Sequence, residues 1–266
     1  MPNLRPVTLI TGASAGIGVE LARVFAGHGH ELALVARREE RLRALADEIA
    51  AIGPRRPIVI VADLSAPGAT QKIADELRAH GAEPQYVVNN AAFGLVGLAG
   101  TRDRDETLQM IDVNARTLTE LSLAFVEPLA RHKGGLLNVG SVAGFLPGPG
   151  MAVYYATKAY VLSFTEALHA ELKPRGVRVT LLAPGPVPTE FAERAGVRGG
   201  LAPGLLTKSA RAVAEEGYRG LMAGRRLVVP GLGNKLVLLL LRLVPRRMAL
   251  RAVARRQSER RAAQGT

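Results

Sequence analysis

The sequence predicts an α/β protein, a doubly wound parallel sheet with helices on both faces. Three observations carry that prediction. Short apolar, β-branched runs alternate with amphipathic helical stretches along the first 230 residues, the pattern of parallel strands joined by helical crossovers. The first of those runs leads straight into a glycine-rich turn and a helix, an arrangement that aims free backbone N–H groups at a phosphate. The chain's 266 residues, 48 % of them hydrophobic, supply a core large enough to stand without the disulfides that a cysteine-free chain cannot form. No composition break divides residues 1–230, which read as one domain, whereas residues 231–266 read as a basic amphipathic extension.

Each element follows from its residues. Val7 to Ile10 is short, apolar and β-branched, a fully buried strand. It enters Thr11-Gly12-Ala13-Ser14-Ala15-Gly16-Ile17-Gly18, where glycines let the backbone turn tightly and approach a pyrophosphate. An apolar-periodic helix follows (Val19, Leu21, Ala22, Phe25, Ala26). Glu31 to Ala36 is the second strand, ending in Arg37-Arg38 before the solvated helix Glu39 to Ala51. Pro57 to Ala62 is the third strand, followed by Asp63-Leu64 and an amphipathic helix from Gly68 to His80. Tyr86 to Val88 runs into the small-residue loop Asn89-Asn90-Ala91-Ala92-Phe93-Gly94. One long helix over Arg104 to Arg131 carries Asn114. Leu136 to Gly140 is a strand ending at Ser141, Gly144 to Gly150 is a loop, and Ala152 to Pro174 is a helix. Val177 to Ala183 is a strand that ends in Pro184-Gly185-Pro186-Val187-Pro188-Thr189. Gly196 to Gly204 reads as a mobile substrate lid and Arg226 to Pro230 as the last strand. Right-handed crossovers place every strand's C-terminal end along one edge, where ligands bind.

Composition excludes several chemistries. Without cysteine there is no thiolate catalysis and no cysteine metal site, and five histidines show no ligand spacing beyond His28-x-His30, so no metal is expected. Met1 to Pro6 lacks a signal-peptide pattern and no apolar run approaches eighteen residues, so a soluble, cytoplasmic protein is expected. The net charge of +12 is concentrated: from Leu206 onward the chain carries 14 Lys/Arg against 3 Asp/Glu, and the preceding residues 21 against 20. The basic segment has no recognition motif and no aromatic to stack bases, so nucleic acid is not expected. Its leucines, Leu236 to Leu241, must bury against something. The two readings are an anionic membrane surface and the protein's own body or a partner subunit.

The chemistry-bearing pair is Tyr154 and Lys158, one helical turn apart and therefore on one face. A cation beside a tyrosine stabilises the phenolate and is expected to lower its pKa toward working pH, making a proton donor for alcohol/carbonyl chemistry. On a surface helix the same pair would be coincidence. Arg37 stands where a dinucleotide fold meets the adenosine ribose, and an arginine in place of an acid favours a 2′-phosphate; Arg38 reads as the start of the next helix.

Taken together, Thr11-Gly12-x-x-x-Gly16-Ile17-Gly18, Asp63-Leu64, Asn89-Asn90-Ala91, Asn114, Ser141, Tyr154-x-x-x-Lys158 and Pro184-Gly185…Thr189 resemble the short-chain dehydrogenase/reductase family over residues 5 to 230, with its Rossmann-type sheet. Leu-Val-Ala-Arg-Arg after the second strand and Tyr-x-Ala-Thr-Lys-Ala-Tyr are similar to its NADP-type reductases. The resemblance implies a catalytic tetrad. Tyr154 exchanges a proton with the substrate oxygen, Ser141 hydrogen-bonds that oxygen, Lys158 stabilises the tyrosinate and holds the nicotinamide ribose, and Asn114 holds a relay water. It further implies that Gly12, Ser14, Gly16, Ile17 and Gly18 surround the pyrophosphate and adenosine. Arg37 meets the 2′-phosphate, Asp63 and Leu64 the adenine, Asn90 the ribose, and Val187 and Thr189 the carboxamide. NADP(H) is favoured and NAD(H) stays open, because a basic residue that many NADP members carry is Ala15 here. Ala92 departs from the family's usual glycine. The implied function is hydride transfer between NADPH and an apolar carbonyl or alcohol, its pocket lined by Phe145 and Phe191, in a homo-dimer or homo-tetramer built through the two long helices. A 3-oxoacyl-acyl-carrier-protein reductase and a non-catalytic dinucleotide sensor or scaffold are the alternatives. Tyr155 and Tyr160, with no lysine four residues on, are expected to pack.

Overall fold

A computed structural model describes residues 4–196, 204–241 and 243–262. Seven parallel strands lie in the order β3-β2-β1-β4-β5-β6-β7: β1 Arg5–Thr11, β2 Leu32–Ala36, β3 Ile58–Val61, β4 Ala82–Asn89, β5 Gly135–Val139, β6 Arg178–Leu182 and β7 Leu227–Val228. The chain winds outward one way from β1 to β3, then returns to lay β4 on the other side of β1. The crevice between the β1 and β4 loops is thus a topological switch point, where open α/β sheets bind ligands.

Both sheet faces are covered. On one, α1 (Gly16–Gly27), α2 (Glu39–Ala50) and α9 (Ala210–Met222) bury Phe25, Leu42, Ile49, Val213 and Leu221 against the strands. On the other, α3 (Ala69–Ala79), α5 (Thr117–Ala124), α6 (Val126–Arg131) and α7 (Ala152–Leu172) bury Ile73, Leu77, Leu121, Leu129 and Leu168. Each such fully buried side chain contributes about 1.5–3 kcal/mol.

One expectation is corrected and two helices are added. The long helix over Arg104 to Arg131 is instead α4 (Arg104–Ile111), a π turn over Asp112–Arg116, α5 and α6. The chain breaks at Phe125 because Pro128 has no N–H for the Ala124 carbonyl and is tolerated only in the first turn of a new helix. The segment from Glu190 contains a short helix, α8 (Glu190–Arg194). And α9, capped by Ser209 Oγ accepting from Ala212 N at 3.2 Å, has no counterpart in the sequence reading. Its interior Gly217 and Gly220 weaken any helical signal. They are there for close approach, since a Cβ at Gly220 would lie 2.1 Å from Val228 Cγ2. The lid read between Gly196 and Gly204 falls, over residues 197–203, outside the described residues.

After β7 the chain forms α10 (Leu232–Leu241) and α11 (Arg246–Ala262). The arm is tied to the body by Asn234, whose Nδ2 donates to Pro230 O at 2.9 Å and Leu206 O at 3.1 Å, and by buried Ala249.

Candidate active site

A cleft of about 770 Å³ runs along the C-terminal edge of the strands. At one end lie Gly12, Ser14, Ala15, Gly16 and Ile17. Gly12 (φ 66°) and Gly16 (φ 56°) hold left-handed conformations that side chains resist. No side chain caps α1 at Ala15, so its first N–H groups stay available to an anion. Gly18 stands just behind the cleft lining. A Cβ there would sit 2.2 Å from Gly12 O and 2.6 Å from Asn90 Nδ2, so Gly18 lets α1 close on the turn. Asn90 Nδ2 holds that turn by donating to Thr11 O at 2.9 Å. Its neighbour Asn89 points the opposite way into the core, donating to Asn138 Oδ1 at 3.0 Å.

Arg37, Arg38, Asp63 and Leu64 form the next wall. Arg37 Nη1 lies 3.9 Å from the Asp63 carboxylate. Burial pushes the Asp63 carboxyl up, but hydrogen bonds from Ser65 and the charges of Arg37 and Arg194 outweigh it and hold the group below its usual range. Arg38 does more than start a helix. Its Nε donates to Ser14 Oγ and its Nη2 to Ser14 O, each at 3.2 Å, while Nη1 donates to Glu190 at 2.8 Å. Arg41 reaches the same carboxylate.

The other end is apolar. Tyr154, 9 % exposed, packs among Phe93, Leu95, Met110 and Met151, with the Phe191 ring 5.4 Å away. Lys158, 3 % exposed, lies below with Nζ 5.9 Å from the Tyr154 ring centre and donating to Val139 O at 2.8 Å. Of its three N–H donors, two remain to turn to a ligand. The expected direction of the tyrosine's shift is reversed. Burial pushes the Tyr154 phenol up to about 12, against a hydrogen bond from Ser141 that pulls it down. Burial also pushes Lys158 down to about 8. Desolvation is the leading cause of both shifts. Ser141 caps the turn Val142–Phe145, its Oγ accepting from Ala143 N at 3.1 Å.

Asn114 lies behind the cleft wall. In the π turn it is fully buried, its Oδ1 accepting from Phe93 N at 3.0 Å and its Nδ2 donating to Phe93 O at 2.9 Å and Thr157 Oγ1 at 3.2 Å. The amide clamps the β4 loop to α7 and does not line the cleft. Thr157, missed in the sequence, links this clamp to Tyr154 by donating to its carbonyl at 2.8 Å. Val187, Thr189 and Ala92 line the cleft, as do Phe191 and Tyr155. Phe145 does not; it packs beside Val161 and Leu181. Tyr160 is exposed and stacked on Phe164.

The geometry agrees with what the chain resembles. The family model for short chain dehydrogenases matches residues 6–197. The chain belongs to the short-chain dehydrogenase family. Sulfoacetaldehyde reductase 2 of Chromohalobacter salexigens is 40 % identical over 188 residues, 70 % of this chain and 74 % of that one. Among solved structures, a short-chain dehydrogenase from Sphingobium yanoikuyae in complex with NADPH is 32 % identical with a TM-score of 0.78, covering 85 % of this chain and 88 % of its own. The bulky-bulky ketone specific alcohol dehydrogenase from Comamonas testosteroni is 29 % identical with a TM-score of 0.73, covering 85 % and 86 %. This short-chain dehydrogenase is accordingly an oxidoreductase acting between hydroxyl and carbonyl groups.

The glycine turn, the uncapped α1 N-terminus and the two unspent donors of Lys158 fit a dinucleotide. Three residues of the cleft wall were not legible in the motifs: Asn234 and Val237 of α10 and Val253 of α11. Only the folded arm brings them to the site.

Proposed function

We propose that this enzyme uses NADPH to reduce a bulky, apolar ketone or aldehyde to the alcohol. The observation that carries the proposal is the Tyr154 phenol, buried in an apolar wall beside Ser141 and above Lys158, with its pKa pushed up to about 12. A phenol that is protonated at working pH is a donor, which suits carbonyl reduction.

NADPH, when bound, would supply the hydride for the carbonyl carbon. Tyr154 gives its proton to the carbonyl oxygen as the negative charge develops there, and Ser141 donates a hydrogen bond to the same oxygen. Lys158 then stabilises the tyrosinate until it is reprotonated, and its remaining donors hold the nicotinamide ribose. Gly12, Ser14, Gly16 and Ile17 take the pyrophosphate and adenosine, Asp63 and Leu64 the adenine, Asn90 the ribose, and Val187 and Thr189 the carboxamide. Arg37 and Arg38 meet the 2′-phosphate, with Ser14 beside them. Asn114 serves this site by holding the β4 loop and Thr157.

The finer associations are part of the same proposal. Leu108, Ile111, Leu123 and Tyr160, between 39 and 54 % exposed on α4, α5, α7 and their junctions, support a homo-oligomer through those helices. Among the described residues no helix is long and apolar enough to cross a membrane, and the arm's charge supports peripheral contact. The test is initial-rate reduction of a panel of ketones, aldehydes, steroids and acyl thioesters with NADPH and with NADH. Turnover of bulky apolar carbonyls with a preference for NADPH is expected; a purely acyl-thioester profile, or no NADPH oxidation, overturns the proposal.

A further inference from the structure

The C-terminal arm has two opposite surfaces. Its inner side belongs to the active site: Asn234 is buried against Gly185, and Val237 and Val253 line the cleft that holds Tyr154. Its outer side is a set of large exposed apolar side chains: Leu232 is 81 % exposed, Leu243 79 %, Met248 60 %, Leu239 57 %, Leu236 54 % and Leu240 51 %. A soluble surface does not hold such a cluster without a use for it.

Charge selects the partner. From Lys235 to Arg261 the arm holds nine Lys/Arg against a single acid, Glu259, and Lys235, Arg247 and Arg251 are exposed among these leucines. Apolar side chains ringed by cations match an anionic lipid surface, where the leucines enter the acyl boundary and the cations stay at the headgroups. A body with almost balanced charge lies behind the arm, so attraction to that surface would orient the arm toward it.

We propose that the arm docks on an anionic bilayer and admits substrate from it, the substrate class being carbonyl compounds dissolved in lipid. Val237 is both 41 % exposed and part of the cleft wall, so it marks the mouth at which lipid and active site meet. A ketone entering there passes Val237 and Val253 and reaches the Met151, Phe191 and Tyr154 wall without crossing water. This rests on the reductase proposal for its chemistry, but the docking surface does not.

The experiment compares the full-length enzyme with Leu236→Glu/Leu239→Glu/Leu243→Glu and with Lys235→Glu/Arg247→Glu/Arg251→Glu, each checked for an unchanged thermal midpoint. Flotation uses phosphatidylcholine vesicles with and without phosphatidylglycerol. Rates are measured with cyclohexanone in water and with a long-chain methyl ketone held in the same vesicles. The wild type is expected to float only with phosphatidylglycerol and to release at high salt. Both variants are expected to lose flotation and to lose about tenfold in rate on the vesicle-held ketone, with cyclohexanone turnover unchanged. Variants that float as the wild type does overturn the dock. Variants that keep the vesicle-held rate overturn the delivery route. A leucine variant that merely passes from oligomer to monomer, with a wild type that never floats, shows that a second copy covers the face and overturns both. Failure of every form to reduce either ketone counts against the reductase proposal, leaving flotation to judge the surface alone.

Discussion

The two ends of the cleft are built by different means. The dinucleotide end is made of a main-chain turn braced by exposed polar and charged side chains. Gly12 and Gly16 turn, Asn90 braces the turn, and Arg38 crosses to Ser14. The substrate end is made of side chains from six separated segments, from Phe93 through Tyr154 and Phe191 to Val253. Charges at the first end are exposed and paired, as with Glu190, whose carboxyl is held below its usual range by hydrogen bonds from Arg38 and Arg41. At the second, Lys158 is buried and no carboxylate pairs with it, so both it and Tyr154 shift. Exposure makes ion pairs cheap and weak, while burial makes a single ionisable group decisive.

The largest test of that contrast is Tyr154→Phe. It removes only the proton donor, so kcat should fall by about 10²–10⁴-fold while NADPH affinity, measured by fluorescence titration, stays within a factor of about two. Normal turnover would reassign the donor.

Lys158→Met probes the cost of burial. The Lys158 pKa falls from 10.5 unfolded to about 8 folded, so below pH 8 the fold carries the full cost of the charge, about 3 kcal/mol. Between pH 8 and 10.5 the unfolded chain binds more protons, and wild-type stability rises with pH. Tyr154 acts oppositely: its folded pKa lies above its unfolded 10.0, so its stability is lost as pH rises from 10 toward 12. In urea titrations the inactive Met variant is expected to be more stable than wild type at pH 7 by as much as about 3 kcal/mol, with the gap narrowing as pH rises from 8 to 10.5. A gap that does not change with pH would place the cost elsewhere. For the same reason kcat/KM for reduction should decline above pH 8 as Lys158 loses its charge.

Gly18→Ala tests the main-chain end. Its Cβ overlaps Gly12 O, so the variant should lose about 1–3 kcal/mol and several degrees in thermal midpoint, and NADPH binding should weaken with it. Unchanged affinity would mean that the turn tolerates displacement of α1.

The smallest effect is expected at the exposed cations. Arg38→Ala should raise the NADPH dissociation constant about tenfold, less so at high salt, and leave NADH nearly unchanged. Equal losses for both cofactors would give Arg38 a structural role in place of phosphate recognition.

Legibility follows the same division. The alternation of strands and helices, the glycine turn, and the one-face spacing of Tyr154 and Lys158 are short-range regularities, and the sequence alone determined them. Long-range packing decided the rest. The direction of the Tyr154 shift depends on how deeply Phe93, Met151 and Phe191 bury it, and no spacing encodes that depth. A π turn aims the Asn114 amide at Phe93 and Thr157, an orientation that no spacing encodes. Pro128 split a helix whose periodicity looked continuous. The arm's composition declared it basic and apolar, but which leucines face out and which valines close the active site depended on where Asn234 anchors it. Periodicity is a property of neighbours along the chain, whereas burial and anchoring are properties of neighbours in space, and only the folded chain supplies those.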